Sequence, residues 1–170
     1  MNPGVGAGKY GEGPQKPSSG YWGAHGVIDR VSFSGGFVRL DCLVDAIDEA
    51  DAGLVATKRD AFRDLVLCLK MFEFVSMRKP VICSRTPAVQ ACFDETSFLY
   101  FDAADERDLA RAIRQLHANP DLAARLVARA TASNEPFRWP RQRELYLSVM
   151  REMIVQRSPG LPSSDASVPQ

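Results

Sequence analysis

The sequence predicts an α/β fold in which a parallel sheet is covered by helices on both faces and the C-terminal part is helical. Two observations lead to this prediction. In the middle of the chain, short apolar segments alternate with segments whose apolar residues recur at helical spacing, which is typical of parallel β-α-β units. After residue 104 only helical patterns follow, and they begin at good capping residues, Asp105 and Asn119.

The predicted strands and helices alternate in the order that a parallel sheet requires. The first strand alternates apolar and polar residues and ends at two glycines, whereas the later strands are short apolar runs. Strands are predicted at residues 31–34, 52–56, 80–84 and 97–101. Helices are predicted at residues 39–49 and 65–77, after Pro87, after Asp105, after Asn119 and at residues 140–155.

Both ends of the chain have the composition of disordered tails. Residues 1–23 are rich in Gly, Pro and Ser, and Ser and Pro return in residues 156–170. Such segments bury too little apolar surface to offset the entropy lost on ordering. A Gly-x-Gly-x-x-Gly spacing at residues 6–11 does not indicate a dinucleotide site, because no strand can precede it and prolines follow. We therefore predict one domain, at residues 24–155.

Composition argues against several classes of function. Lys plus Arg and Asp plus Glu both number 21, so no overall field favours nucleic acid or an anionic membrane. The four cysteines form no Cys-x-x-Cys pair and only two histidines accompany them, so a zinc site is not predicted. No apolar run approaches the roughly 20 residues of a transmembrane helix. We expect a cytoplasmic protein with buried thiols, no metal and no cofactor.

The loop at residues 57–64 is a candidate anion site. In parallel sheets, ligands bind beyond the carboxyl ends of the strands, and this loop follows a predicted strand and precedes a predicted helix. Unpaired N–H groups at a helix start favour a phosphate, and Arg63, Arg59 or Lys58 could add charge-assisted contacts. The alternative is a solvated loop whose arginines pair locally with Asp60 and Asp64.

Lys70 and Glu73 form a second candidate site. They are three residues apart in a predicted helix, so they share one face of it. Their neighbours are large apolar residues, and a carboxylate in such a place could accept hydrogen bonds from two vicinal hydroxyls, as on a ribose. The alternative is a surface ion pair between the two side chains, which contributes little stability.

Three passages resemble the C-terminal domain of retaining glycosyltransferases of the family 4 type. The central passage, residues 70–82, reads KMFEFVSMRKPVI and is similar to the family pattern K-x-x-E-Y-x-A-x-G-K-P-V-I. Residues 29–37 resemble the pattern D-x-V-x-F-x-G, and residues 105–120 resemble D-x-x-x-L-A-x-A-I-x-x-L-x-x-x-P. The resemblance implies a GT-B fold of two Rossmann-like domains, of which this chain would be an incomplete half.

The resemblance also implies roles for individual residues. Glu73 takes the position of the carboxylate that binds the ribose of a nucleoside diphosphate sugar, the donor substrate. The amides of Leu65 and Val66 would face the diphosphate, and a glycine turn near residue 36 would lie near the base. The predicted donor-binding residues are Glu73, Lys70, Arg63, Asp64, Leu65, Val66, Gly36 and Phe37.

The chain departs from the family pattern in ways that bear on function. Many members carry Glu-x7-Glu, but Leu65 stands at the position of the first glutamate, with Asp64 beside it. Ser76 and Arg78 replace small residues of the A-x-G turn. The acceptor domain and the early donor-domain strands have no counterpart. We therefore expect the donor-binding part of a retaining glycosyltransferase, as a fragment, a truncated gene product or part of a split enzyme. It would be inactive without an acceptor domain, which a separate chain could supply.

Two other interpretations stay open. An incomplete sheet would leave an exposed edge and an apolar face, so the chain is alternatively a catalytically inactive domain that binds a nucleotide or another protein. A flavodoxin-like signalling domain would need a phosphoacceptor aspartate at a strand end. Asp60 and Asp64 lie in a loop, and no acidic cluster at an earlier strand end accompanies them.

Overall fold

The computed structural model of the protein describes residues 30–157 except Phe33 and Gly35. In this part of the chain the strands are β1 (Gly53–Val55), β2 (Val81–Ser84) and β3 (Leu99–Phe101). The helices are α1 (Leu40–Glu49), α2 (Leu69–Ser76), α3 (Pro87–Cys92), α4 (Glu106–His117), α5 (Pro120–Asn134) and α6 (Trp139–Arg157). Two 3₁₀ turns occupy Arg63–Leu65 and Glu135–Phe137.

The three strands form one parallel sheet in the order β1-β2-β3. Leu54 is in register with Ile82, and Cys83 with Tyr100. The predicted α/β fold, a Rossmann-like parallel sheet flanked by helices with a helical C-terminal part, is confirmed. Each of the later three predicted strands contains an observed one, because short runs of β-branched and aromatic residues suit a buried parallel strand.

Side chains of the central strand point alternately into two apolar clusters, one on each face of the sheet. Val81 and Cys83 belong to the cluster beneath α2 and α3, whereas Ile82 belongs to the cluster beneath α4 and α5. The first cluster is built around aromatic rings, and Phe93 stacks on Phe98 with 4.4 Å between ring centroids. The helices do not completely cover the edge strand β1, where Leu54 is 46% exposed.

The predicted helix starts at Asp105 and Asn119 are confirmed by their hydrogen bonds. The Asp105 carboxylate accepts from the first-turn amides of Arg107 and Asp108 at 2.9 and 3.0 Å. The Asn119 side-chain oxygen accepts from the Leu122 amide at 2.9 Å, and proline occupies the first helical position. These caps satisfy amides that have no partner inside the helix.

Two predictions about elements are wrong. Residues 31, 32 and 34 are not in a strand. Alternating apolar and polar residues favour a strand, but a strand is stable only when neighbouring strands pair with it. The helix predicted to begin at Leu65 begins at Leu69. Upstream, the Asp60 carboxylate accepts from the amides of Phe62 and Arg63, and this local bonding competes with the helix. The chain then runs extended through Val66 and Cys68.

The four cysteines form no disulfide with one another in the structure. Cys83 is fully buried in β2, and the other three are partly exposed. Burial raises the pKa of the Cys83 thiol to about 12. This cysteine therefore packs as a small apolar residue, as the sequence predicts.

Candidate functional site

The carboxyl ends of β1 and β2 are tied together by one buried hydroxyl. Ser84 Oγ accepts a hydrogen bond from the Thr57 amide at 2.8 Å and donates to the Val55 carbonyl at 3.3 Å. The loop after β1 therefore leaves the sheet from a fixed point. This is the edge at which ligands of parallel α/β sheets bind.

The loop after β1 is organised by two arginine–aspartate pairs. Arg59 binds both oxygens of Asp64 at 2.8 to 3.0 Å, and Arg63 Nη1 lies 2.5 Å from Asp60 Oδ2. The hydrogen bonds from Arg59 lower the pKa of Asp64, and the Arg63 amide lowers the pKa of Asp60. These are the local pairs of the alternative interpretation, and a phosphate bound here would compete with two carboxylates.

The amides of Leu65 and Val66 are already engaged inside the 3₁₀ turn. The Leu65 amide donates to the Phe62 carbonyl at 3.1 Å, and the Val66 amide donates to the Arg63 carbonyl at 3.3 Å. The Leu65 side chain is 82% exposed. A diphosphate would reach these N–H groups only after the turn opens. At the true start of α2, the amides of Leu69 and Lys70 have no acceptor among the described residues, whereas the Met71 amide donates to the Cys68 carbonyl at 3.2 Å.

Lys70 and Glu73 share the exposed side of α2. Met71 and Val75 are buried on its other side, at 0% and 2% exposure, which fixes the rotation of the helix. Neither Lys70 nor Glu73 makes an ion pair or a side-chain hydrogen bond with any residue that the structure describes. The surface ion pair of the alternative interpretation is thus not formed, and the Glu73 carboxylate is open to a ligand.

Gly36 and Phe37 stand apart from the other predicted site residues. Phe37 is 98% exposed, and no atom lies within 4 Å of a Cβ built on Gly36. Within the described ranges, no hydrogen bond or ion pair links either residue to the loop after β1 or to α2. The structure brings together Arg63, Asp64, Leu65 and Val66 in one loop and Lys70 with Glu73 on the following helix.

Arg85 is a residue at the same edge that sequence reasoning missed. It follows β2 directly, its guanidinium pairs with Glu95 and lies 3.6 Å from Asp102, and it stacks over the Tyr100 ring at 5.2 Å. The Arg85 amide donates to the Phe101 carbonyl at 2.9 Å. Its position in the sequence could have revealed it. Ligands bind beyond the carboxyl ends of parallel strands, and Arg85 is the first residue of the loop that follows the strand ending at Ser84.

The described residues contain neither a cluster of metal ligands nor a helix that could span a membrane. No group of three or more His, Cys, Asp or Glu residues that could hold a metal ion occurs between residues 30 and 157 outside the two undescribed positions. No described helix combines the length and apolar character needed to cross a bilayer. The cytoplasmic location stays a prediction.

Comparison with known proteins identifies the family. No curated protein and no solved structure matches the chain. The family described as glycosyl transferase-like matches residues 6–143, which is more than three quarters of the chain. The match includes the loop after β1, all of α2 and the three strands. The chain therefore belongs to the glycosyl transferase-like family.

Proposed function

We propose that this chain is the donor-binding part of a retaining glycosyl transferase that uses a nucleoside diphosphate sugar. Family membership supports a glycosyl transferase-type domain. The observation that carries the donor proposal is the Glu73 carboxylate, which has no partner among the described residues and lies on the helix next to the strand-end loop. In this proposal the acceptor is held by a second domain or chain outside the described residues.

The chemistry of donor binding follows from the residue types on α2 and its loop. The two oxygens of Glu73 accept hydrogen bonds from the vicinal hydroxyls of a ribose, and hydrogen bonds to a charged acceptor are strong. Lys70 lies within one helical turn of Glu73 and offers a cation for the diphosphate. Arg59 and Arg63 would exchange their aspartate partners for phosphate oxygens, which keeps each guanidinium paired.

The proposed reaction transfers the sugar with retention of its anomeric configuration. The cations stabilise the departing diphosphate, which is the charge that grows in the transition state. Transfer also requires the acceptor to be held against the donor in a closed site. We therefore expect the described domain to bind the donor without transferring sugar by itself.

Calorimetric titration with UDP, GDP and ADP tests the proposal. One diphosphate should bind, and Glu73→Ala should weaken it by about 1–3 kcal/mol, as expected for lost hydrogen bonds to a charged group. Glu152→Ala is the matched control, since Glu152 is an exposed glutamate of α6, and it should leave the affinity unchanged. Circular dichroism of each variant confirms that the chain is folded.

Two results would count against the proposal. If no diphosphate binds to the folded chain, donor binding by this chain alone is refuted. If one binds and Glu73→Ala and Glu152→Ala behave alike, the nucleotide does not use the exposed side of α2. Absence of sugar transfer is the expected result, so it counts neither for nor against donor binding.

A catalytically inactive, protein-binding domain is the second candidate function, and one observation favours it. The exposed side of α6 carries a broad apolar surface of residues that are 38–62% exposed, namely Leu145, Tyr146, Val149, Met150, Met153 and Ile154. Apolar patches of this kind on a soluble domain often mark protein contacts. Light scattering after size-exclusion chromatography tests self-association, and a monomer at high concentration counts against an adhesive surface on α6.

A further inference from the structure

A cavity on the flank of α2 lies outside the residues assigned to the donor. Its volume is about 490 Å³, which is in the range of small-molecule sites. One wall comes from α2, through Leu69, Phe72 and Ser76. The opposite wall comes from the end of α5, the following turn and the start of α6, and consists of Asn134, Phe137, Arg138, Trp139, Pro140 and Gln142.

The aromatic side chains of this cavity pack against one another and against a buried ring of the core. The rings of Phe72 and Phe137 have centroids 5.5 Å apart and are tilted by 58°. Both pack on Phe93, at 5.5 and 6.2 Å, and Phe93 is fully buried. Trp139 lies at the rim and is 71% exposed. The cavity therefore offers aromatic surface in a fixed arrangement, which suits a flat ring.

Asn134 gives the cavity a polar group without a partner. This residue is only 7% exposed, yet its side chain makes no hydrogen bond with any described residue. The atoms of this side-chain amide are not completely shielded from solvent. In the described ranges, Thr86 Oγ1 is the one side-chain polar atom that is both completely shielded and without a hydrogen-bond partner. Asn134 lines the cavity, and a polar group at a buried wall is costly unless a ligand or water pairs with it.

Besides the neutral hydroxyl of Ser76, the remaining polar side chains of the wall are already engaged, which favours a neutral ligand. Arg138 is already paired with Glu135 at 3.3 Å, and Gln142 donates to the Pro136 carbonyl at 2.9 Å. A carboxamide such as that of Asn134 presents donors and an acceptor side by side. An amide or lactam edge on the ligand is the complement of that pattern.

We propose that this cavity binds a neutral planar aromatic ring that carries an amide or lactam edge. The ring packs between Phe72, Phe137 and Trp139, and its edge exchanges hydrogen bonds with Asn134. The inference does not depend on the donor site, because none of the side chains that line the cavity is assigned to donor binding.

Three small molecules separate the two parts of the proposal when each is titrated into the full chain. Benzamide has the ring and the amide, cyclohexanecarboxamide has the amide without a flat ring, and toluene has the ring without the amide. Nuclear magnetic resonance follows the side-chain amide of Asn134 and the indole of Trp139. Benzamide should move both signals saturably, with a dissociation constant on the order of 1 mM for so small a ligand. The other two compounds should bind at least about fivefold more weakly.

Variants then assign the contacts. Asn134→Leu should reduce benzamide binding to the level of toluene while toluene binding persists, and that persistence shows that the cavity is still formed. Trp139→Ala should weaken benzamide, whereas Tyr146→Ala, an exposed aromatic residue of α6 outside the cavity, should not. Uridine carries a lactam edge and nicotinamide carries a carboxamide. The tighter of these two ligands shows which of the two groups the cavity prefers. Equal binding of the three small molecules, or an unchanged benzamide preference in Asn134→Leu, overturns the proposal.

Discussion

Replacing Gly53 by alanine should destabilise the fold, although alanine is ordinarily the better strand residue. Gly53 is buried at the start of β1, in register with Val81, and its amide donates to the Pro80 carbonyl at 2.9 Å. A Cβ built on it would lie 2.3 Å from both Cγ and Cδ2 of the Phe74 ring. Because Cγ is the ring atom closest to the backbone, a rotation of the ring about its own axis cannot remove the overlap.

The size of the effect follows from two opposing terms. Carbon atoms in contact are normally about 3.5–4.0 Å apart, so the overlap exceeds about 1 Å and forces Phe74 or the strand to move. Overpacking of this kind costs about 1–3 kcal/mol. The entropic advantage of alanine over glycine is about 0.5–1 kcal/mol. We expect Gly53→Ala to lower the free energy of unfolding by about 1–2 kcal/mol.

Urea unfolding of four proteins measures this prediction: the native chain, Gly53→Ala, Phe74→Ala and the double variant. In the Phe74→Ala background the clash is gone, so Gly53→Ala should become neutral or stabilising by up to about 1 kcal/mol. Gly36→Ala is the control, because its Cβ would meet no atom within 4 Å. If Gly53→Ala matches the native chain in stability, the close approach of α2 to β1 is refuted.

Two further predictions concern carboxylates that bind backbone amides. Asp105→Ala should lower the free energy of unfolding by about 1 kcal/mol, since two first-turn amides of α4 lose their acceptor, whereas Asp105→Asn should stay close to the native value in thermal unfolding. Asp94 accepts hydrogen bonds from Thr96 and Ser97, which lower its pKa below the ordinary 3.8. Its contribution is complete above about pH 4 and is lost as the pH falls through the lower folded value. Asp94→Asn should therefore flatten the acid side of a stability–pH curve, and an unchanged slope contradicts this assignment.

The elements that the sequence predicted correctly are those with a local cause. Asp105 and Asn119 cap helices through amides two or three residues away, so their effect is readable from the chain alone. The strands at Gly53–Val55, Val81–Ser84 and Leu99–Phe101 are short apolar runs between helical patterns. For both the caps and the strands, the residues that determine the structure are close together in the sequence.

The errors arose where a competing or distant interaction decides. The helix start at Leu65 was wrong because the Asp60 carboxylate bonds two amides and stabilises a turn. The predicted strand at residues 31–34 lacked a described partner strand, which no local pattern reveals. The cavity beside α2 was not foreseen, since it needs Phe72 and Asn134 to meet across two elements that are separated by some sixty residues of chain.

The packing of α2 determines what a change at Glu73 can reveal. Met71 and Val75 are buried, and Phe74 lies against Gly53, so the helix cannot rotate without losing core contacts. Glu73 is therefore held on the solvent side, where it has no partner among the described residues. Substitutions at such positions usually change stability by less than about 0.5 kcal/mol. Because folding is nearly indifferent to this carboxylate, any large loss of nucleotide affinity in Glu73→Ala reports a contact with the ligand and not damage to the fold.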